Sequence, residues 1–171
     1  MEFIFSQITG IIALIFVCIS YFCKNKSKFL ILQIFADIFY ASSYLLINVQ
    51  VAGIITIISS IRCIAFFICE KTNKPRISYY LLPVFLASYL IVTICFWQGY
   101  GDIIPLITCI LFTVSYIQKN TQTIRYLTLI PNAILIVYNI FTTTYSNALL
   151  DALETIVVIV AIIKFHKQKT T

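Results

Sequence analysis

Runs of apolar residues recur along the whole chain, and most of them are long enough to cross a lipid bilayer. A transmembrane helix needs about 20 predominantly apolar residues to span roughly 30 Å of hydrocarbon. The pattern predicts seven such spans, at residues 3–23, 29–48, 51–69, 79–97, 103–118, 124–142 and 145–165. Runs 11–17 and 156–163 are apolar on every side, whereas the strands of a membrane β-barrel alternate apolar and polar residues. The predicted fold class is therefore an all-α, polytopic transmembrane bundle of about seven helices.

Composition indicates that lipid is the main partner of these apolar side chains. Hydrophobic residues make up 61% of the 171 residues and charged residues only 11%, which is about half the charged fraction of a typical soluble domain. So few polar side chains could not cover a water-facing surface. The longest polar stretch, residues 70–78, leaves no room for a soluble domain. We therefore expect residues 1–171 to form a single transmembrane domain.

Basic residues are distributed unevenly among the predicted connectors. All but one of the 12 fall in the first, third and fifth connectors or at the C-terminal end: Lys24, Lys26, Lys28, Lys71, Lys74, Arg76, Lys119, Arg125, Lys164, Lys167 and Lys169. The other connectors, at 48–50, 98–102 and 142–144, contain none. Because cytoplasmic loops are enriched in Lys and Arg, the pattern predicts an outside N-terminus and a cytoplasmic C-terminus. It also explains the net charge of +6 without a nucleic-acid partner.

The first three spans resemble the last three when the sequence is shifted by 95 positions. The matched residues are Ser20-Tyr21 with Ser115-Tyr116, Lys24-Asn25 with Lys119-Asn120, Asp37 with Asn132, and Gly10 with Pro105. We interpret this as a repeat at about 3–70, a linker helix at about 79–97, a second repeat at about 102–165 and a basic tail at 166–171. A single linker helix makes the two repeats parallel, as in SWEET-type transporters, where the substrate path lies between the halves. The alternative is that any seven evenly spaced spans look repeated.

Several short stretches resemble the YgjV family of bacterial inner-membrane proteins, and the likeness covers most of the chain. They are Gln7 followed by Gly10, Ser60-Ile61-Arg62 in the third span, Ile104-Pro105-Leu106 in the fifth, Tyr138-Asn139 in the sixth and Glu154 in the last. The resemblance implies a multi-pass protein of the bacterial cytoplasmic membrane. The layout also resembles SWEET sugar transporters and PnuC-type vitamin transporters. This second likeness is architectural, because Pro105 precedes Leu106 and not the glutamine of PQ-loop relatives.

Four charged residues are predicted to lie at membrane depth, away from the ends of the spans: Asp37, Arg62, Asp151 and Glu154. An unpaired charge at the bilayer centre costs about 3 kcal/mol on insertion scales, so these side chains should face the bundle interior. At 1.5 Å per residue, Asp37, Arg62 and Glu154 lie roughly 10–16 Å from the inner ends of their spans. They could line a solute or proton path, or Arg62 could form a structural ion pair with one of the acids. Asp151 lies nearer the outer end and could be interfacial.

Uncharged polar residues and prolines add candidates for the same path. Asn132 and Asn139 lie within the sixth span, where an amide can hydrogen-bond between helices. Pro131 frees a backbone carbonyl beside Asn132, so this site could kink or gate the helix. Pro105 lies near the start of its span and is the second candidate for a gate, although proline at a helix start is well tolerated.

No arrangement of side chains indicates catalysis, a metal or a cofactor. The six cysteines contain no CxxC pair and the chain has a single histidine, His166, in its basic tail. We therefore expect no enzymatic activity. Two hypotheses stay open at this stage. The chain is a small-solute transporter or facilitator, or it is a structural or accessory membrane protein whose charges form an ion pair. The sequence identifies no solute and leaves homo-oligomer formation open.

Overall fold

The computed structural model describes residues 2–46, 49–97, 99–141 and 145–167. Within these residues the chain forms seven α-helices and one short 3-10 turn, Tyr100–Asp102. The helices are α1 Glu2–Tyr21, α2 Lys26–Leu46, α3 Gln50–Lys71, α4 Pro75–Cys95, α5 Ile103–Ile117, α6 Thr121–Phe141 and α7 Tyr145–Lys167. The prediction of an all-α bundle of seven helices is confirmed, and the described residues contain no strand.

Six of these helices, α1 to α6, are long and apolar enough to cross a membrane, α5 together with the 3-10 turn before it as the segment Tyr100–Ile117. Helix α7 is not among them, although it is 23 residues long. Its described part carries Asp151, Glu154 and Lys164, so a seventh crossing stays a prediction. Parts of the predicted connectors (residues 47–48, 98 and 142–144) and residues 168–171 of the predicted tail lie outside the described residues.

Helix α4, the predicted linker, begins earlier than the sequence pattern indicates. We predicted it at 79–97, but α4 runs over Pro75–Cys95 because Pro75 occupies the first turn, where its fixed φ favours helix. Residues 166 and 167, predicted to be tail, continue α7.

Two matching caps start the helices that follow the first and fifth connectors. The side-chain oxygen of Asn25 accepts a hydrogen bond from the backbone N–H of Ser27 at 2.8 Å. Asn120 accepts one from the N–H of Gln122 at 2.9 Å. An asparagine in this position satisfies one of the backbone donors that the first helical turn leaves open. The two caps fix where α2 and α6 begin.

The helices pack as two consecutive groups of three. Helices α1, α2 and α3 form one group and α5, α6 and α7 form the other. The groups meet where α1 contacts α7 and where α3 contacts α5, while α4 packs beside α3 and α5. The outward faces are apolar: Ile61 and Ile94, for example, are 54% and 69% exposed. Side chains of this kind in so many outward positions suit lipid as the surrounding medium.

The ends of the helices that carry the basic connectors, called here the basic end, are joined by a set of polar contacts between the two groups. Lys26 donates a hydrogen bond to the carbonyl of Ile117 at 3.2 Å and forms an ion pair with Glu70 at 3.5 Å. Thr121 donates to the carbonyl of Lys24 at 3.2 Å. These contacts bring the first, third and fifth connectors together.

Arg125 completes this junction and is buried, with only 2% of its surface exposed. Its guanidinium donates to the carbonyls of Tyr21 and Cys23, each at 2.8 Å, and to the side chain of Gln122 at 2.7 Å. It also lies 4.4 Å from the ring centroid of Phe165. We call Lys26, Thr121 and Arg125 the basic-end seam.

We predict that Arg125→Met destabilises the fold. The substitution keeps the length of the side chain but removes the donor to the buried carbonyl of Tyr21, at the end of α1, and to the partly buried carbonyl of Cys23 just after it. We expect the free energy of unfolding to fall by about 3 kcal/mol. Lys119→Met is the control, because Lys119 is exposed in the neighbouring connector. Denaturation of the detergent-solubilised variants compares the two, and equal stability of both would contradict the assignment of the seam.

Candidate functional site

A cavity of about 240 Å³ lies between the two groups of helices. Its wall, as far as the described residues form it, contains residues of α1, α2 and α3 on one side and of α5, α6 and α7 on the other, and none from α4. It extends from Val49, Asp102 and Tyr138, at the end opposite the seam, to Val17 and Tyr116 deeper in the bundle. This volume is smaller than the roughly 300–1,000 Å³ of sites for drug-sized ligands. The cavity therefore has room for a small solute.

Arg62 forms part of the cavity wall and is 2% exposed. It reaches this position because it lies in the middle of α3 with its side chain turned inward. One terminal nitrogen donates to the Thr113 hydroxyl at 2.8 Å and the other contacts the Cys63 sulfur at 3.4 Å. The guanidinium carbon lies 4.8 Å from the ring centroid of Tyr116. Its Nε has no hydrogen-bond partner among the described residues.

Asp37 of α2 also lines the cavity and is connected to Arg62 through a thiol. The Cys63 sulfur, which contacts Arg62, donates to Asp37 Oδ2 at 3.5 Å. The second carboxylate oxygen, Oδ1, accepts no hydrogen bond from the described residues. Arg62 and Asp37 are thus neighbours across a sulfur atom.

The two acids of α7 bind neutral donors. Asn139 donates to Asp151 Oδ2 at 2.6 Å. Tyr21 and Asn132 both donate to Glu154 Oε1, each at 3.1 Å. Both acids line the cavity, and Glu154 is only 8% exposed. These contacts tie α7 to α1 and α6 and hold both carboxyl groups at the cavity wall.

The sequence left open whether Arg62 forms a structural ion pair with an acid at membrane depth. Among the described residues the ion pair within 4.0 Å is Lys26–Glu70, at the basic end, and Arg62 has none. Arg62 lies on α3 beside Thr113 and Cys63, with Asp37 on the far side of the Cys63 sulfur, while Glu154 lies on α7 among amide and hydroxyl donors. The described residues also contain no group of three or more His, Cys, Asp or Glu placed to hold a metal ion.

The predicted path residues do come together. Asp37, Arg62, Glu154, Asn139 and Pro105 line the cavity. The depth of Asp37, Arg62 and Glu154 was predictable, because a helix rises 1.5 Å per residue whatever its neighbours.

Other predicted features occupy different positions. Asn132 does not line the cavity but holds Glu154. Pro131 is buried within α6, which is helical on both sides of it, and its role as a gate stays a prediction. Asp151, which the sequence placed nearer the outer end, lines the cavity as well.

The sequence analysis missed the aromatic part of the wall. Tyr40 and Tyr44 of α2 line the cavity with a centroid separation of 6.4 Å, and Phe112 and Tyr116 of α5 line it with one of 6.0 Å. The spacing of these aromatic residues in the sequence could have predicted them. Residues 37, 40 and 44 share one face of a helix, as do 105, 108, 112 and 116, because neighbours on a helix face recur every three or four positions.

We predict that a cysteine at position 56 reacts with a water-borne thiol reagent, whereas one at 57 does not. Thr56 lines the cavity, and the adjacent Ile57 is 42% exposed on the outward face, where lipid excludes water. Thr56→Cys and Ile57→Cys are each placed in protein whose native cysteines are replaced by serine. The rate of modification by the membrane-impermeant trimethylammonium-ethyl methanethiosulfonate is then measured in membranes. Modification of Ile57→Cys alone, or of neither variant, would show that the cavity holds no accessible water.

Comparison with known proteins gives a family and no close relative. The sequence model of the family described as Imp-YgjV, bacterial inner membrane protein, matches residues 4–169. No curated protein and no solved structure shows significant similarity to the chain. The match extends over nearly all of the seven helices and the cavity between them, and the chain therefore belongs to the YgjV family of bacterial inner membrane proteins.

Proposed function

We propose that this protein transports a small solute, or facilitates its passage, across the bacterial cytoplasmic membrane. The observation that carries the proposal is the cavity between the two groups of helices, with charged residues of both groups in its wall. A charge at this depth is costly in lipid and usually marks a functional path. In this proposal α7 crosses the membrane as a seventh span. Its acids face the cavity, away from the hydrocarbon that would otherwise oppose insertion.

The proposed path follows the axis of a parallel repeat. Adding 95 to the bounds of α2 gives residues 121–141, the bounds of α6, and adding 95 to the first residue of α3 gives the first residue of α7. Lining residues are also related by this shift: Val17 with Phe112, Tyr40 with Leu135, Tyr44 with Asn139, Thr56 with Asp151 and Ser59 with Glu154. The contacts between α1 and α7 and between α3 and α5 exchange under the same operation. All three observations support an approximate two-fold axis through the cavity.

The two ends of the bundle differ in a way that suits alternating access. The basic-end seam closes one end with hydrogen bonds between the groups. At the other end the cavity reaches Val49 and Asp102, beside connectors that lack basic residues. Because basic residues favour the cytoplasmic side, we propose that the cavity faces outward in this conformation. Transport then requires the seam to open and the opposite end to close.

The alternative, an accessory protein whose intramembrane charges form a structural ion pair, expects Arg62 to contact an acid. In the described residues it does not. We propose no enzymatic role, since no nucleophile in the cavity wall has a histidine beside it among the described residues. A homo-oligomer is compatible with transport and is not required, because the cavity is formed within one chain.

We predict that Arg62→Met leaves a stable, inserted protein. Thr113 keeps its hydrogen bond to the Cys109 carbonyl at 2.6 Å when Arg62 is removed, so the free energy of unfolding should fall by no more than about 2 kcal/mol. Removing one member of a buried ion pair would cost about 3–5 kcal/mol. Thermal denaturation in detergent, with Arg125→Met as the seam control, distinguishes the small loss expected here from the larger loss of a broken ion pair. A loss as large as that of a broken pair, or failure to insert, favours the structural alternative.

We also predict that the cavity becomes accessible from both sides of the membrane in turn. A protein that retains only the native Cys109, which lines the cavity, should react with an impermeant thiol reagent in right-side-out and in inverted vesicles. Two single-cysteine controls should each react from one side: the native Cys95 at the non-basic end, and Lys74→Cys, which lies in the third connector. Modification of Cys109 from one side only would contradict alternating access.

A further inference from the structure

The acids of α7 are the least compensated charges in the cavity. Asp151 and Glu154 are three positions apart, so they share one face of the helix, and both line the cavity. The side chains that donate to them among the described residues are two amides and a phenol, all neutral. Asp151 Oδ1 and Glu154 Oε2 accept no hydrogen bond from the described residues, and neither acid has a basic group within 4.0 Å there. A buried carboxylate in this condition calls for a donor that the described chain does not supply.

Arg62 does not supply the missing donor to the carboxylates of α7. Both of its terminal nitrogens are engaged, one by Thr113 and one by Cys63, and the guanidinium rests against the ring of Tyr116. Its unpartnered Nε is fully buried, so a bound anion could not reach it without movement of the side chain. The acid beside Arg62 is Asp37. The positive charge is therefore on the α3 side of the cavity and offset locally, whereas the α7 side is acidic.

The cavity wall as a whole also has more acidic than basic side chains. Among the described residues it contains four carboxyl groups, those of Asp37, Asp102, Asp151 and Glu154, and one basic side chain, Arg62. A cleft lined by charge of one sign and enclosed by low-dielectric walls concentrates counter-ions. Such a cavity attracts cations and repels anions.

Aromatic rings complete the wall. Tyr40, Tyr44, Phe112 and Tyr138 line the cavity together with Tyr116. The face of an aromatic ring attracts a cation placed within about 6 Å of its centre, and quaternary ammonium groups are recognised in this way. Carboxylates combined with several rings favour an organic cation over a bare metal ion, which prefers a shell of oxygen ligands.

We infer that the cavity binds a small organic cation, an amine or quaternary ammonium compound with a compact apolar part, whose charged group lies against Asp151 and Glu154. As a statement about the transported solute this rests on the proposed function. As a statement about binding it stands on the cavity alone. A volume of about 240 Å³ limits the ligand to a compact molecule.

Binding to the purified protein in detergent tests the inference directly. Choline and benzylamine are titrated beside their neutral isosteres, in which a tert-butyl group replaces trimethylammonium and a hydroxyl replaces the amine. The corresponding carboxylates and the zwitterion glycine betaine complete the set. Isothermal titration calorimetry or saturation-transfer NMR should show at least one cation bound about tenfold more tightly than its neutral isostere, and no tighter binding of an anion or of betaine.

Charge-removing variants locate the site. Glu154→Gln and Asp151→Asn preserve shape and hydrogen bonding, and each should weaken binding of the cation by about tenfold while leaving the neutral isosteres unchanged. Glu70→Gln is the matched control, because Glu70 is an acid at the basic end, outside the cavity wall. Equal effects of all three substitutions would overturn the assignment to α7.

A kinetic measurement reports the sign of the local potential without a ligand. Thr56→Cys should react faster with the cationic trimethylammonium-ethyl reagent, relative to the anionic sulfonatoethyl reagent, than Lys74→Cys does in an exposed connector. Adding Glu154→Gln should lower this ratio. An unchanged or inverted ratio contradicts an acidic cavity.

The outcomes for binding and for transport are separable. Cation binding with Cys109 modified from one side only would uphold the cation site and overturn transport. Equal binding of the neutral isosteres, preference for carboxylates or betaine, or no saturable binding of either ammonium compound would overturn the cation site, whatever the labelling of Cys109 shows.

Discussion

Hydrocarbon offers no hydrogen bonds, so each charged side chain at membrane depth must be solvated by the protein or by a water-filled cavity. In this chain the four residues predicted to lie at that depth, Asp37, Arg62, Asp151 and Glu154, all line one cavity. Their contacts inside the protein are mostly with neutral groups, such as the Thr113 hydroxyl and the amides of Asn132 and Asn139. These contacts satisfy only some of the polar atoms, and the remainder face the cavity. The helices are therefore arranged so that these polar atoms face a shared cavity and not the hydrocarbon.

The same constraint acts at the basic end. Backbone carbonyls at the end of α1 are satisfied by Arg125 of the other helical group, and Lys26 satisfies the last carbonyl of α5. Two of the basic residues that indicate membrane orientation are thus buried and structural. The seam that closes this end depends on the same residues that mark it as the cytoplasmic side in our proposal. The closed end of the bundle and the proposed orientation of the protein in the membrane then both follow from the same cluster of basic residues.

Sequence reasoning predicted the helices well and the site in part, for one physical reason. Depth in a membrane follows from position along a helix, so counting residues brought Asp37, Arg62 and Glu154 to one level. Lateral placement does not follow from depth. It depends on how each helix is rotated and which helices are neighbours. The sequence therefore left open whether Arg62 pairs with an acid, and the inward tyrosines of α2 were missed. The spacing of residues 37, 40 and 44 on one helix face did indicate that the tyrosines of α2 point the same way as Asp37. The contact between Arg62 and Thr113 joins α3 to α5, and no local sequence pattern indicates it.

In the proposed repeat, the two halves share the arrangement of their helices but differ in the side chains that line the cavity. Positions related by 95 residues line the cavity in both halves, yet their chemical character differs. Thr56 and Ser59 in the first half correspond to Asp151 and Glu154 in the second. Arg62 corresponds to residue 157, a valine. A symmetric frame can support two equivalent conformations that open to opposite sides. Within that frame, negative charge on α7 and positive charge on α3 make the two walls unequal. In the proposed transport function, the unequal walls orient a bound solute while the frame around it changes conformation, and the symmetric bundle thereby discriminates among solutes by charge.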